Sequence, residues 1–217
     1  MDGNRVIVGI SGASGAIYGL RCLDALRAAG VETHLVVSRA GEMTLRAECG
    51  LGLREIEARC DHLHAIGNVG ATISSGSFRT RGMIVAPCSV RSLSEIVSGV
   101  TSSLLTRAAD VVLKERRRLV LMVRESPLHL GHLRSMAAAA ELGAVIAPPV
   151  PAFYSRPETL DDIVDHSVGR VLDLFGIDSP VRRWEGMGQA PRRSTDPRPP
   201  AASLDACGTY GAGGELP

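Results

Sequence analysis

The stretch 8–19, Val-Gly-Ile-Ser-Gly-Ala-Ser-Gly-Ala-Ile-Tyr-Gly, constrains this chain more than any other, because an apolar run breaks there into small residues and resumes at helical spacing. Residues 5–10 are β-branched and read as a buried parallel strand. After Gly15, the residues Ile17, Leu20, Leu23 and Leu26 fall along one helix face. A strand that turns tightly into a helix presents unpaired N–H groups and the positive end of a helix dipole, and glycines let a phosphate approach the backbone. Gly9, Gly12 and Gly15 do not make G-x-G-x-x-G, and no Gly-Lys-Ser/Thr follows, so neither the dinucleotide fingerprint nor the P-loop is present. The strand expected over 32–37 ends in Ser38, where a dinucleotide fold would carry a ribose-binding carboxylate. The pattern leans toward a mononucleotide; the alternative is a glycine-rich turn that binds nothing.

The same βα logic recurs along the chain. Strands are expected at 5–10, 32–37, 82–86, 119–123 and 144–147, and helices at 15–29, 38–49, 51–59, through 97, at 101–117, 128–142 and 159–175. Residues 60–80 read as an irregular surface segment, and Pro148-Pro149-Val150-Pro151 as a rigid extended loop. Repeated βα units predict a doubly wound, mostly parallel sheet with ligands beyond the carboxyl ends of its strands, where Ser11 to Gly15, Ser38, Cys88, Ser89, Arg124 and Glu125 fall. One α/β domain over 1–185 is expected. Residues 186–217 turn to Pro, Arg, Gly and Ala, a composition expected to stay disordered.

Composition narrows the partners. A net charge of +1 and 3% aromatic residues argue against a nucleic-acid footprint or a base-stacking platform. No apolar run approaches the roughly 18 residues of a membrane span, and the start of the chain does not read as a signal peptide, so a cytoplasmic protein is expected. The five cysteines, Cys22, Cys49, Cys60, Cys88 and Cys207, lack a C-x-x-C and fit reduced thiols. His62 and His64 could share one side of a strand, and His129 and His132 one helix face. Neither pair has a third ligand nearby in sequence, so no metal is expected.

Taken together, Gly9 to Ala16, Pro87-Cys88-Ser89, Arg107-Ala108-Ala109-Asp110 running into Leu113 to Arg117, Arg124-Glu125 and Pro151-Ala152-Phe153-Tyr154 resemble the UbiX/Pad-type flavin prenyltransferases over roughly residues 5–185. The resemblance implies a flavodoxin-like (Rossmann-like) fold and a homo-oligomer, a dodecamer. It also implies transfer of a dimethylallyl group from dimethylallyl phosphate to reduced FMN without a metal, with the prenylated FMN passed to a UbiD-type decarboxylase. Whether that decarboxylase serves quinone biosynthesis or aromatic-acid breakdown is left open. Two departures stand out: Arg118 where family members often have proline, and the tail after 185. The Pro-x-Met-Asn segment of the related cysteine decarboxylases is absent.

The resemblance also implies roles by residue. Gly12, Ala13, Ser14, Ser38, Cys88, Ser89, Val90, Arg91 and Arg124 would contact FMN, with Ser14 near the flavin N5. Lys114, Tyr154 and Arg170 would meet dimethylallyl phosphate, Tyr154 often across a subunit boundary, with Arg124 as a further cation there. Glu48 and Glu125 would place phosphate and manage protons, with acid and base unassigned between them. Lys114 is the single lysine among 24 Lys and Arg residues, a compact ammonium in a chain that otherwise uses guanidinium. Its alternative is a cation at a helix C-terminus; Ser14 could equally be a helix N-cap, Tyr154 a packed loop residue, and Arg107 is structural. Two other functions remain open at this level: an FMN-dependent aromatic-acid decarboxylase or its accessory subunit, and an FMN carrier without turnover, which would have no use for the cation cluster.

Overall fold

Runs rich in Val, Ile and Leu build most of the six parallel strands in a computed structural model that describes residues 3–184 and 186. The elements are β1 (Arg5–Ile10), α1 (Ala16–Ala28), β2 (Glu32–Val37), α2 (Arg39–Cys49), α3 (Leu53–Glu57), β3 (His62–His64), β4 (Gly82–Cys88), α4 (Val90–Ser98), α5 (Leu104–Lys114), β5 (Arg118–Val123), α6 (Leu130–Glu141), β6 (Val145–Ile146) and α7 (Leu160–Asp173). The sheet order is β3-β2-β1-β4-β5-β6, and every pairing is parallel. This is the doubly wound α/β arrangement: the chain winds outward from β1 to β3, then crosses to β4 on the other side of β1, so the topology switches between β1 and β4. These elements all lie in a unit spanning Met1–Arg183. The tail expected to be disordered lies, apart from Gly186, outside the described residues.

Strand alternation divides the interior into two cores. Val6, Val8 and Ile10 of β1, with Leu35, Ile84, Val120 and Met122, face α1 and α7, whose Leu20, Leu23, Val168 and Leu172 cover them. Ile7, Val36, Met83, Val85, Leu119 and Leu121 face the other way, against Leu93 of α4 and Leu105, Ala108 and Val112 of α5. Strands buried on both faces show as continuous apolar runs, which is why they were readable. Gly19 lets α1 close onto the sheet: a Cβ there would stand 2.4 Å from the Ala86 carbonyl oxygen.

The expected irregular segment 60–80 holds a strand. β3 pairs with β2 in the register His34↔His62, Leu35↔Leu63 and Val36↔His64. Three residues reading His-Leu-His carry no β-branched run and no period, so only the pairing with β2 makes this segment a strand. Among the described residues, no helix is long and apolar enough to cross a membrane.

Candidate active site at the sheet switch point

Ser11 fastens the two strand ends that diverge at the switch point. It is 1% exposed; its hydroxyl donates to the Pro87 carbonyl at 2.8 Å and accepts from the Ser89 N–H at 2.7 Å. The loop after β1 is thereby locked to the loop after β4, and the Arg124 N–H donates to the Cys88 carbonyl at 3.0 Å, tying on the end of β5. Two helix starts follow. Ser38 caps α2 by accepting from the Gly41 N–H at 3.0 Å, and Ser89 caps α4 by accepting from the Ser92 N–H at 3.2 Å.

Between these ends lies a cleft of about 600 Å³, lined among others by Gly12, Ala13, Ser14, Ser38, Ser89, Val90, Arg91, Arg124 and Glu125. Its size is that of a cofactor site. Gly12 has no room for a side chain, since a Cβ would come within 2.3 Å of the Ala40 Cβ; the glycine loop and the start of α2 therefore form one continuous floor. The positive ends of α2 and α4, together with Arg124, make the cleft suited to an anion. Arg91, by contrast, is engaged with Glu95 at 2.9 Å. Glu125 turns back to accept from the Ser126 N–H at 2.9 Å. Cys88 is wholly buried behind the cleft, and burial pushes its thiol up to about 12, which removes it as a nucleophile.

Glu48 has a position that sequence spacing did not reveal. Helix α1 has Gly15 (φ 100°) at its N-cap and no side chain of its own to cap it. The missing partner comes from α2: Glu48 Oε2 accepts from the Gly15 and Ala16 N–H groups at 2.8 and 3.0 Å, and the Ser14 hydroxyl bonds to the same carboxylate. Partial burial pushes the Glu48 carboxyl upward, but these hydrogen bonds and the Arg124 charge outweigh it and hold the group below its ordinary value. Ser14 is thus not the N-cap of α1. Its exposed side chain stands at the cleft wall on a turn held in place by Glu48.

The Flavoprotein family matches residues 1–172. Flavin prenyltransferase UbiX of Escherichia coli K12 is 60% identical over 186 residues, 84% of this chain and 98% of that protein. The chain belongs to the flavin prenyltransferase family. Among solved structures, AnUbiX in complex with FMN and dimethylallyl pyrophosphate matches with a TM-score of 0.83 at 49% identity, over 85% of this chain and 98% of that one. A dodecameric FMN-dependent UbiX-like decarboxylase from Escherichia coli O157:H7 matches with a TM-score of 0.82 at 51% identity, over 84% of this chain and all of that one.

Three residues that the flavin prenyltransferase resemblance assigns to the prenyl donor are not brought into the cleft of this chain. Ser103 and Leu105, at the start of α5, line it. Lys114 ends the same helix, roughly 14 Å further along the axis at 1.5 Å per residue, paired with Glu115. Tyr154 and Arg170 instead line a second cavity of about 340 Å³ with Met122, Pro148 and His166. There the Tyr154 hydroxyl meets His166 Nε2 at 3.1 Å and Arg170 pairs with Asp173. Ser11 falls at a strand end in the sequence pattern, which assigns it no role; a serine directly after an apolar strand run is the only trace of it in the sequence.

Proposed function

We propose that this chain transfers the dimethylallyl group of dimethylallyl phosphate to reduced FMN, and that the cleft at the β1/β4 switch point holds the flavin. The observation that carries the reading is the convergence of the Ser38- and Ser89-capped helix starts and Arg124 on one crevice, in a chain 60% identical to a flavin prenyltransferase. FMN would supply the nucleophilic ring and its phosphate the anchor. Arg124 and the helix starts neutralise the anionic oxygens of the ligand. Glu48 fixes the turn that presents Ser14 to the flavin edge. Glu125 stands next to Arg124 as a proton-handling carboxylate.

Lys114, Tyr154 and Arg170 complete the donor site in this reading, and Lys114, at the far end of α5 from the cleft of its own chain, would act in the cleft of another copy. The homo-oligomer is therefore part of the active site, and a dodecamer, as in the UbiX-like neighbour, is the proposed form. Prenylated FMN leaves for a UbiD-type decarboxylase. Cys22, Cys49, Cys60 and Cys88 are free thiols, which supports a reducing, cytoplasmic location.

Incubation of the protein with reduced FMN and dimethylallyl phosphate, followed by mass spectrometry of the extracted flavin, tests the proposal: the flavin should gain the mass of one dimethylallyl group. Flavin of unchanged mass with carbon dioxide released from an aromatic acid would establish the decarboxylase reading instead. Bound flavin with neither reaction would leave a carrier.

A further inference from the structure

The parallel pairing of β2 with β3 assembles a polar cluster that no sequence spacing displays. Glu32 and His34 share a face of β2, and the register sets His62 directly beside His34. Glu32 Oε1 stands 3.1 Å from His34 Nε2 and 3.3 Å from His62 Nε2. Glu32, His34 and His62 are the one such group of metal-capable side chains among the described residues, with their donor atoms all within 4.8 Å of one another. Ligands of a tetrahedral zinc ion at about 2.0–2.1 Å lie roughly 3.3 Å apart, so two of the three separations already match.

We propose that Glu32, His34 and His62 bind a divalent transition-metal ion of the zinc class at the outer edge of the sheet, separate from the flavin cleft. Two imidazole nitrogens and a carboxylate oxygen are a borderline set that favours zinc, cobalt, nickel or copper over magnesium or calcium.

The surroundings prepare each ligand. Arg5 Nε holds Glu32 Oε2 at 2.9 Å, leaving Oε1 to face both imidazoles. His34 is 3% exposed, fixed edge-on against Phe78. Its Nδ1 lies 2.9 Å from His64 Nε2. With Nε2 on a metal, His34 Nδ1 carries the proton and donates it to His64, the outer hydrogen bond that metal-bound histidines characteristically make. The His62 ring stacks on His34 with centroids 4.5 Å apart and must tilt out of that stack to close the ligand set. Its side chain is 52% exposed, which leaves room for that tilt. The Arg5 guanidinium works against a cation here, though its charge is largely matched by Glu32.

His34 precedes Ser38 by four residues, roughly 13 Å of strand, so the metal does not reach the flavin cleft. It would pin the edge strand β3 to β2, which otherwise depends on three residues of pairing.

The test uses tag-free full-length protein stripped with a chelator. Titration with Zn²⁺ should give one equivalent bound per chain, and Co²⁺ should give the visible bands of a low-coordinate nitrogen and oxygen site. His62→Ala, a change at an exposed position, should abolish uptake while leaving FMN affinity and the circular dichroism spectrum unaltered; His64→Ala should weaken uptake roughly 10–100-fold. A double His129→Ala, His132→Ala variant should bind as the unaltered chain does. Equal Zn²⁺ uptake with and without His62, loss that follows His129 and His132, or a Co²⁺ spectrum of the six-coordinate aqueous ion would each overturn the site. The Co²⁺ measurement needs no variant, so it decides the matter even if His62→Ala misfolds.

Discussion

Two side chains hold the switch-point cleft together through backbone groups, and each predicts a measurable loss. Ser11 saturates both the Pro87 carbonyl and the Ser89 N–H inside a site of 1% exposure. Ser11→Ala strands those groups, a cost of about 1–3 kcal/mol, which for a chain of this size lowers Tm by roughly 2–12 °C. FMN affinity should fall with it, because the loops after β1 and β4 are no longer joined; scanning calorimetry and flavin titration on one preparation check both, and an unchanged melt would dismiss the latch. Glu48 acts similarly on α1, as a cap donated by another helix. Its carboxyl is held below the ordinary value of 4.5, so its contribution is fully present above that pH and disappears as pH falls through the lowered one. Glu48→Gln should cost about 1 kcal/mol at neutral pH, modest because the residue is exposed. The gap between the two melting curves should close in acid; a gap that persists there would mean that charge is not what Glu48 contributes.

At the level of elements, legibility followed periodicity. β1, β4 and β5 are buried on both faces and announce themselves as apolar runs, and Ser38 and Ser89 stand directly before their helices as caps. β3 was legible only as the possibility that His62 and His64 share one side of a strand, because its existence depends on β2, about 30 residues away, and the joining of Glu32 and His34 to that pair was hidden for the same reason. The lining of the cleft was largely readable, since it follows from strand ends; the capping of α1 by Glu48 was not, since helix packing rather than spacing delivers that carboxylate. Helix α5 shows a further limit. Its start touches the cleft while Lys114 at its end does not, so the proposed role of Lys114 requires a neighbouring copy. Lys114→Ala should leave FMN binding intact and slow alkylation about ten- to a hundredfold, the worth of a charge-assisted contact of roughly 1.5–3 kcal/mol. Arg124→Ala damages the cleft itself. Oligomers reassembled from a mixture of the two impaired chains should turn over faster in a single turnover than oligomers of either variant alone, because an intact cleft then meets an intact lysine from its neighbour. No recovery on mixing would place Lys114 outside the donor site or confine its action to its own chain.

On the scale of the whole molecule, the surface of a single chain leaves large apolar side chains in water. Val150 is 70%, Phe153 75% and Leu160 82% exposed, all within the short segment that enters α7 and carries Tyr154. Burying one such side chain against another copy is worth about 1.5–3 kcal/mol, so this segment is a ready contribution to the proposed oligomer. Leu160 allows a clean test because it is the first residue of α7, directly after the Thr159 cap. An acidic residue is favourable at a helix start, so Leu160→Asp preserves the helix of the isolated chain while placing a charge where a dry contact would form. Native mass spectrometry should show the assembly shifted to smaller species, with far-ultraviolet circular dichroism unchanged. Prenyl transfer should fall in step with assembly, because each cleft would lose the lysine brought by its neighbour. An intact oligomer carrying the substitution would show that the apolar segment faces solvent in the assembly and that other surfaces hold the copies together.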